Sequence, residues 1–177
     1  MKFVSFKHNN VEKFGIIENN LITDLTGKIG GASNLKELIK IKKIKEAKEY
    51  VKSYPGSIKT DEIEYLPLIP NPGKIICVGL NYIEHAKETN RTVEENPVIF
   101  HRFPESQTAH MQAIQRPSVS KSLDFEGEMA VIMDEGGKHI KSEEALKHIV
   151  GFSCYNEGTI REWQRHTRQF GMGKNFE

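Results

Sequence analysis

The chain has 177 residues, 37% of them hydrophobic and 28% charged, with a formal net charge of +1. That length accommodates one domain, or a small domain joined to part of a larger one. The near-neutral balance argues against a nucleic-acid binder, no apolar run nears the about 18 residues that span a membrane, and no apolar segment follows Lys2 to make a secretory signal.

Cys77 and Cys154 stand alone, with no disulfide framework or C-x-x-C spacing. A reduced, cytoplasmic setting follows, and both cysteines read as buried small hydrophobes.

From Lys2 to Leu25, short alternating segments are separated by Asn9-Asn10 and Asn19-Asn20, which predicts a small antiparallel meander. From Leu35 to Tyr54 the period changes. Leu35, Leu38, Ile39, Ile44, Ala47 and Val51 recur at helical spacing, lysines take the other side, and Pro55-Gly56 stops the helix. The lysine-rich side is a solvated helix face. Pro67, Pro70 and Pro72 mark a linker from Leu66 to Gly73, so residues 1–70 read as a small α+β domain and 71–177 as a second unit.

That second unit opens with Lys74-Ile75-Ile76-Cys77-Val78-Gly79, predicted as a buried strand. In the segment after it His85 and Glu88 are three apart, on one face of a helical turn. A carboxylate beside an imidazole fixes its tautomer and raises its basicity, as a water-activating base requires; a surface ion pair has the same spacing. Pro97 to Phe100 is a short strand, followed by His101-Arg102. The planar fork of Arg102 suits a substrate carboxylate, and equally a structural partner for a nearby acid.

Asp124-Phe125-Glu126-Gly127-Glu128 leads into Met129-Ala130-Val131-Ile132-Met133, and the whole reads as one strand. Glu126 and Glu128 then share a face, their roots about 6.5–7 Å apart. Two carboxylates aimed into one space repel unless a cation lies between them; a solvated acidic edge that discourages sheet association is the other reading. Gly136-Gly137 makes a turn, Ser142-Glu143-Glu144 caps a helix ending near Ile149, and Gly151 to Asn156 is a further strand. Thr159 to Thr167 is a helix or turn carrying Arg161, Glu162, Gln164 and Arg165. The sequence ends at Gly173-Lys174-Asn175-Phe176-Glu177 with no closing strand, which reads as an interrupted domain.

In order and spacing, several blocks resemble the fumarylacetoacetate hydrolase family. These are Val78-Gly79-Leu80-Asn81-Tyr82 with His85 and Glu88, Asp124 to Glu128, and Asn156-Glu157-Gly158-Thr159-Ile160-Arg161-Glu162-Trp163-Gln164 through to Gly173-Lys174-Asn175-Phe176. The resemblance implies an α+β, β-rich fold: a mixed β-sandwich roll, here truncated, behind a small N-terminal domain. It implies a divalent ion held by Glu126, Glu128 and Glu157, an all-oxygen set that suits Mg²⁺ or Mn²⁺, with Ca²⁺ also possible. It further implies a hydrolase or lyase acting on C–C bonds of small 2-oxo or 1,3-dioxo acids, in aromatic catabolism, and a homodimer with no nucleic-acid or membrane partner. The metal would polarise the substrate carbonyl, His85 and Glu88 would activate water, and Lys174 would meet developing negative charge. Arg102, Arg161 and Gln164 are expected at the substrate, the last two also supporting the metal loop.

Isomerisation or decarboxylation of hydroxymuconate-type acids or oxaloacetate passes through the same enolate, so the fold does not select the reaction. Two departures stand out. Many members carry Asp where this chain has Glu157, whose extra methylene moves the carboxylate out by about 1.5 Å, and many have Lys near His101-Arg102. A fragment that binds metal or a partner without catalysing anything is the alternative from another class.

Overall fold

Asn9, Asn10, Asn19 and Asn20 all adopt left-handed dihedrals, φ 50° to 63°, a conformation asparagine tolerates and tight hairpin turns require. In the computed structural model, which describes residues 1–88 and 95–177 and only the backbone of His85, these turns join β1 (Lys2–His8), β2 (Val11–Glu18) and β3 (Leu21–Asp24). The predicted meander is therefore present. Two helices follow, α1 (Leu35–Lys40) and α2 (Ile44–Ser53), then the short strands β4 (Ile58–Lys59) and β5 (Glu64–Tyr65). The five strands form one sheet in the order β4-β3-β2-β1-β5, antiparallel throughout.

The single helix expected from Leu35 to Tyr54 is thus two, interrupted where Lys42 takes φ 57°. On a straight helix the five-residue step from Ile39 to Ile44 rotates the apolar stripe by about 140°. The break lets Leu35, Leu38, Ile39, Ala47 and Val51 all bury against Phe14 and Ile16 of the sheet and Leu25 just after β3. Val4, Phe6 and Ile22 fill a smaller core on the opposite face.

Beyond the linker come β6 (Ile75–Gly79), α3 (Ile83–Glu88), β7 (Val98–Arg102), β8 (Leu123–Asp124), β9 (Gly127–Met133), β10 (Ile149–Asn156), β11 (Thr159–Ile160) and α4 (Arg161–Gln164). β6 pairs with β7 and β8 with β11, both antiparallel, and β9 pairs with β10. Three expectations change here. β6 is not buried: Ile76 and Val78 are exposed, because the two-stranded β6–β7 sheet covers one face only. Cys154 is exposed and Cys77 half-buried, so neither is a core residue. The segment Ser142–His148 is a 3₁₀ helix that starts from Lys141 with no side-chain cap; the Glu144–Lys147 ion pair fits its three-residue repeat.

The chain divides into two compact units. One comprises Met1–Asn71, Thr108–Ala113 and Gly127–Tyr155, with Ile132 and Val150 packed on the helix-side core. The other comprises Pro72–Gln107, Ile114–Glu126 and Asn156–Glu177. Among the described residues no helix is long and apolar enough to cross a membrane.

Candidate metal centre

The strand expected from Asp124 through Met133 is broken at Phe125-Glu126. The cause is the main chain of Glu126. Its N–H donates to Asn156 Oδ1 at 3.1 Å, and its carbonyl accepts the Glu157 N–H at 2.8 Å. Asp124 is meanwhile in register with Thr159 across β8 and β11. These bonds hold the segments carrying Glu126 and Glu157 side by side. Glu128 follows two residues after Glu126, and the three carboxylates each offer an oxygen within 4.8 Å of the others. The structure thus brings together Glu126, Glu128 and Glu157, the residues expected to hold an ion.

Cations surround the pair Glu126 and Glu157. Lys174 Nζ lies 3.0 Å from Glu126 Oε2 and 3.0 Å from Glu157 Oε1, and 5.0 Å from the centre of the Phe100 ring. Its side chain is 1% exposed. Gly173 sets this position: a Cβ there would stand 2.3 Å from Gln164 N and 2.4 Å from Ile160 O, so only glycine lets the Lys174 turn lie against the start of α4. Arg161 bridges two acids, with Nε 2.7 Å from Asp124 and an NH₂ group 2.7 Å from Glu126, and it also donates to Gln164 Oε1. Arg102 is buried, 3.5 Å from Glu157 and donating to the Gly158 carbonyl at 3.1 Å, while its Nε is buried without a partner. Its guanidinium therefore pairs with an acid, one of the two roles expected for it.

Thr159, fully buried, places its hydroxyl 2.9 Å from Glu126 Oε1 and 2.8 Å from the Glu157 carbonyl. Glu126 thus receives Thr159 and Arg161 on one oxygen and Lys174 on the other. Sequence reasoning gave no role to Thr159, Asp124 or Phe100. The block that carries Glu157 and Arg161 contains Thr159, but only the fold shows what its hydroxyl reaches.

The two innermost carboxylates are driven apart in acidity. For Glu157, burial outweighs Lys174 and, with repulsion from Glu126, pushes its carboxyl above the ordinary range. For Glu126, burial also pushes upward, but Lys174, the Thr159 hydroxyl and Arg161 together hold it below. Arg161 holds Asp124 low. With all groups ionised, Asp124, Glu126, Glu128 and Glu157 face Lys174, Arg161 and Arg102, which leaves one negative charge in excess. Three converging carboxylate oxygens and surplus negative charge fit a hard divalent ion.

His85 and Glu88 lie on α3. Glu88 is exposed, and the His85 side chain lies outside the described residues, so the pairing of the two rests on their spacing in sequence. Beside Lys174, the Phe100 ring also lines a cleft of about 820 Å³ with Ile99, Phe103, Trp163, Met172 and Phe176. His101, Arg168 and Asn175 supply its polar edge.

Residues 74–177 match the family model described as fumarylacetoacetate (FAA) hydrolase C-terminal. A mitochondrial oxaloacetate tautomerase, Fahd2a of Rattus norvegicus, is 38% identical over 121 residues, 68% of this chain and 39% of the relative. The chain therefore spans about two fifths of that relative's length. A fumarylacetoacetate hydrolase from the psychrophile Exiguobacterium antarcticum superposes with a TM-score of 0.76 at 28% identity, over 100% of this chain and 62% of that one. The maleylpyruvate hydrolase of Sphingobium sp. SYK-6, solved with manganese(II) and pyruvate, superposes with a TM-score of 0.75 at 16% identity, over 98% and 63%. These matches include enzymes named for tautomerisation and for hydrolysis, and the solved structures share the mixed α+β, strand-rich fold.

Proposed function

The chain belongs to the fumarylacetoacetate hydrolase family, and from that premise we propose that its acidic centre serves an enzyme of small 2-oxo acids, with keto–enol interconversion of an oxaloacetate-like acid as the reaction. The observation that carries this reading is the convergence of Glu126, Glu128 and Glu157 beside the buried ammonium of Lys174. Tautomerisation is preferred to C–C cleavage because the relative at 38% identity is named for it.

Glu126, Glu128 and Glu157 would hold Mg²⁺ or Mn²⁺, which polarises a bound carbonyl when present. The protein's own groups do the rest. Lys174 and Arg161 supply positive charge, which favours the added oxyanion of an enolate over the uncharged carbonyl of the keto form. Thr159 and Arg161 hold Glu126 in one rotamer, so the centre is shaped before substrate arrives. The Phe100–Trp163 cleft offers apolar walls to the remainder of the acid. Cleavage of a C–C bond would add one requirement, water activated by His85 and Glu88. The protein is read as a homodimer under either reaction.

The test is direct. With Mn²⁺ or Mg²⁺, the protein is expected to accelerate ketonisation of enol-oxaloacetate, followed by ultraviolet absorbance, and Glu126→Gln or chelator is expected to abolish the acceleration. Cleavage of an acylpyruvate with no effect on oxaloacetate would move the assignment to hydrolysis. Inertness toward both, with metal bound, would refute an oxo-acid enzyme.

A further inference from the structure

Lys174 is fully engaged. An ammonium has three N–H donors; two point at Glu126 Oε2 and Glu157 Oε1, both 3.0 Å away, and the group also lies over the Phe100 ring at 5.0 Å. The side chain is 1% exposed, so water takes no share. Yet Glu126 and Glu157 are two of the three acids whose oxygens converge as a cation site. A carboxylate oxygen that donates its lone pairs to a dication has less to give an ammonium, and the two positive charges repel at this separation.

We infer that Lys174 and a divalent ion are antagonists for the same two carboxylates, so that loading the metal releases the Lys174 ammonium for a substrate oxyanion. The inference rests on the metal reading given above and adds an order of events: metal first, then a lysine able to bind the acid. It also assigns Lys174 a cost. The residue weakens metal binding, and in exchange it keeps Glu126 and Glu157 from repelling each other when no dication holds them.

Two observations support an exchange over permanent co-residence. Arg161 remains on Glu126 Oε1 and Arg102 near Glu157, so both acids keep a cationic partner after Lys174 withdraws. And Lys174 directly follows the short 3₁₀ turn Gly171–Gly173, which Asn175 ties to the β7 end through Phe103 N–H and His101 O.

The experiment compares wild type with Lys174→Gln and Lys174→Met, using Mn²⁺ alone as probe. Binding is read by calorimetry, and unfolding by Trp163 fluorescence in chelator and in Mn²⁺. Removing one positive charge a few ångströms from a dication should tighten Mn²⁺ binding by about tenfold or more. Both variants should unfold earlier than wild type in chelator and gain more from Mn²⁺. A variant that folds only with Mn²⁺ supports the inference, and one that stays unfolded in both overturns it. Mn²⁺ affinity unchanged or weakened in both variants overturns the antagonism alone. No Mn²⁺ uptake by any of the three proteins overturns the metal centre and, with it, the inference.

Discussion

Gly173→Ala tests the packing on which the position of Lys174 depends. The new Cβ would meet Gln164 N at 2.3 Å, Ile160 O at 2.4 Å and Gln164 Cα at 2.7 Å, where ordinary contacts begin at 3.4 Å. All three atoms are backbone, so no side chain can swing away. The turn must back off from α4 by roughly 1 Å, and overpacking of this kind costs about 1–3 kcal/mol, occasionally more. With main chain on every side, the upper end applies, about 3 kcal/mol. For a chain of this size that is about 6–12 °C in Tm. Trp163, the one tryptophan in the sequence, lies on α4 itself, so its fluorescence melts with the structure being perturbed. Gly151→Ala is the control, since a Cβ there meets nothing within 4 Å; its effect should stay within about 1 kcal/mol. If Gly173→Ala melts within about 2 °C of wild type, the close approach is not what positions Lys174.

Thr159→Val keeps the shape and removes the hydroxyl that reaches Glu126, so Mn²⁺ binding by calorimetry should weaken by about 10–100-fold, with Thr159→Ser restoring most of it. Away from the centre, burial raises Asp24 but hydrogen bonds from Lys13 and Thr26 outweigh it, and its carboxyl titrates below the usual range. Because the folded value is depressed, this contribution is complete above the unfolded value of about 3.9 and disappears as pH falls through the folded one. Asp24→Asn should therefore flatten the acid limb of stability measured by urea titration below about pH 5, by about 1 kcal/mol or less.

What the sequence disclosed depended on whether the signal was local. Paired asparagines dictate their own left-handed turns, so the meander was legible. The break at Lys42 was also written there, in the five-residue step between Ile39 and Ile44, but helical spacing masks it unless the phase is followed. The interruption at Phe125-Glu126 had no local cause. It arises because Asn156 and Glu157, some thirty residues on, take up the hydrogen bonds of Glu126. Family resemblance located Glu126, Glu128, Glu157, Arg161 and Lys174 as residues. That Arg102 would settle beside Glu157, and Thr159 beside Glu126, depends on side chains meeting across β7, β8 and β11, which no spacing encodes.

The two hydrogen bonds made by the Glu126 main chain have a consequence for mutagenesis. Because the frame joining the segments of Glu126 and Glu157 uses the Glu126 peptide groups, the Glu157 N–H and the Asn156 side chain, and neither acid's carboxylate, replacing either acid by its amide leaves that frame standing. A defect in such a variant can then be credited to the lost charge, and swapping acids at this centre becomes a clean instrument for tuning which cation it prefers.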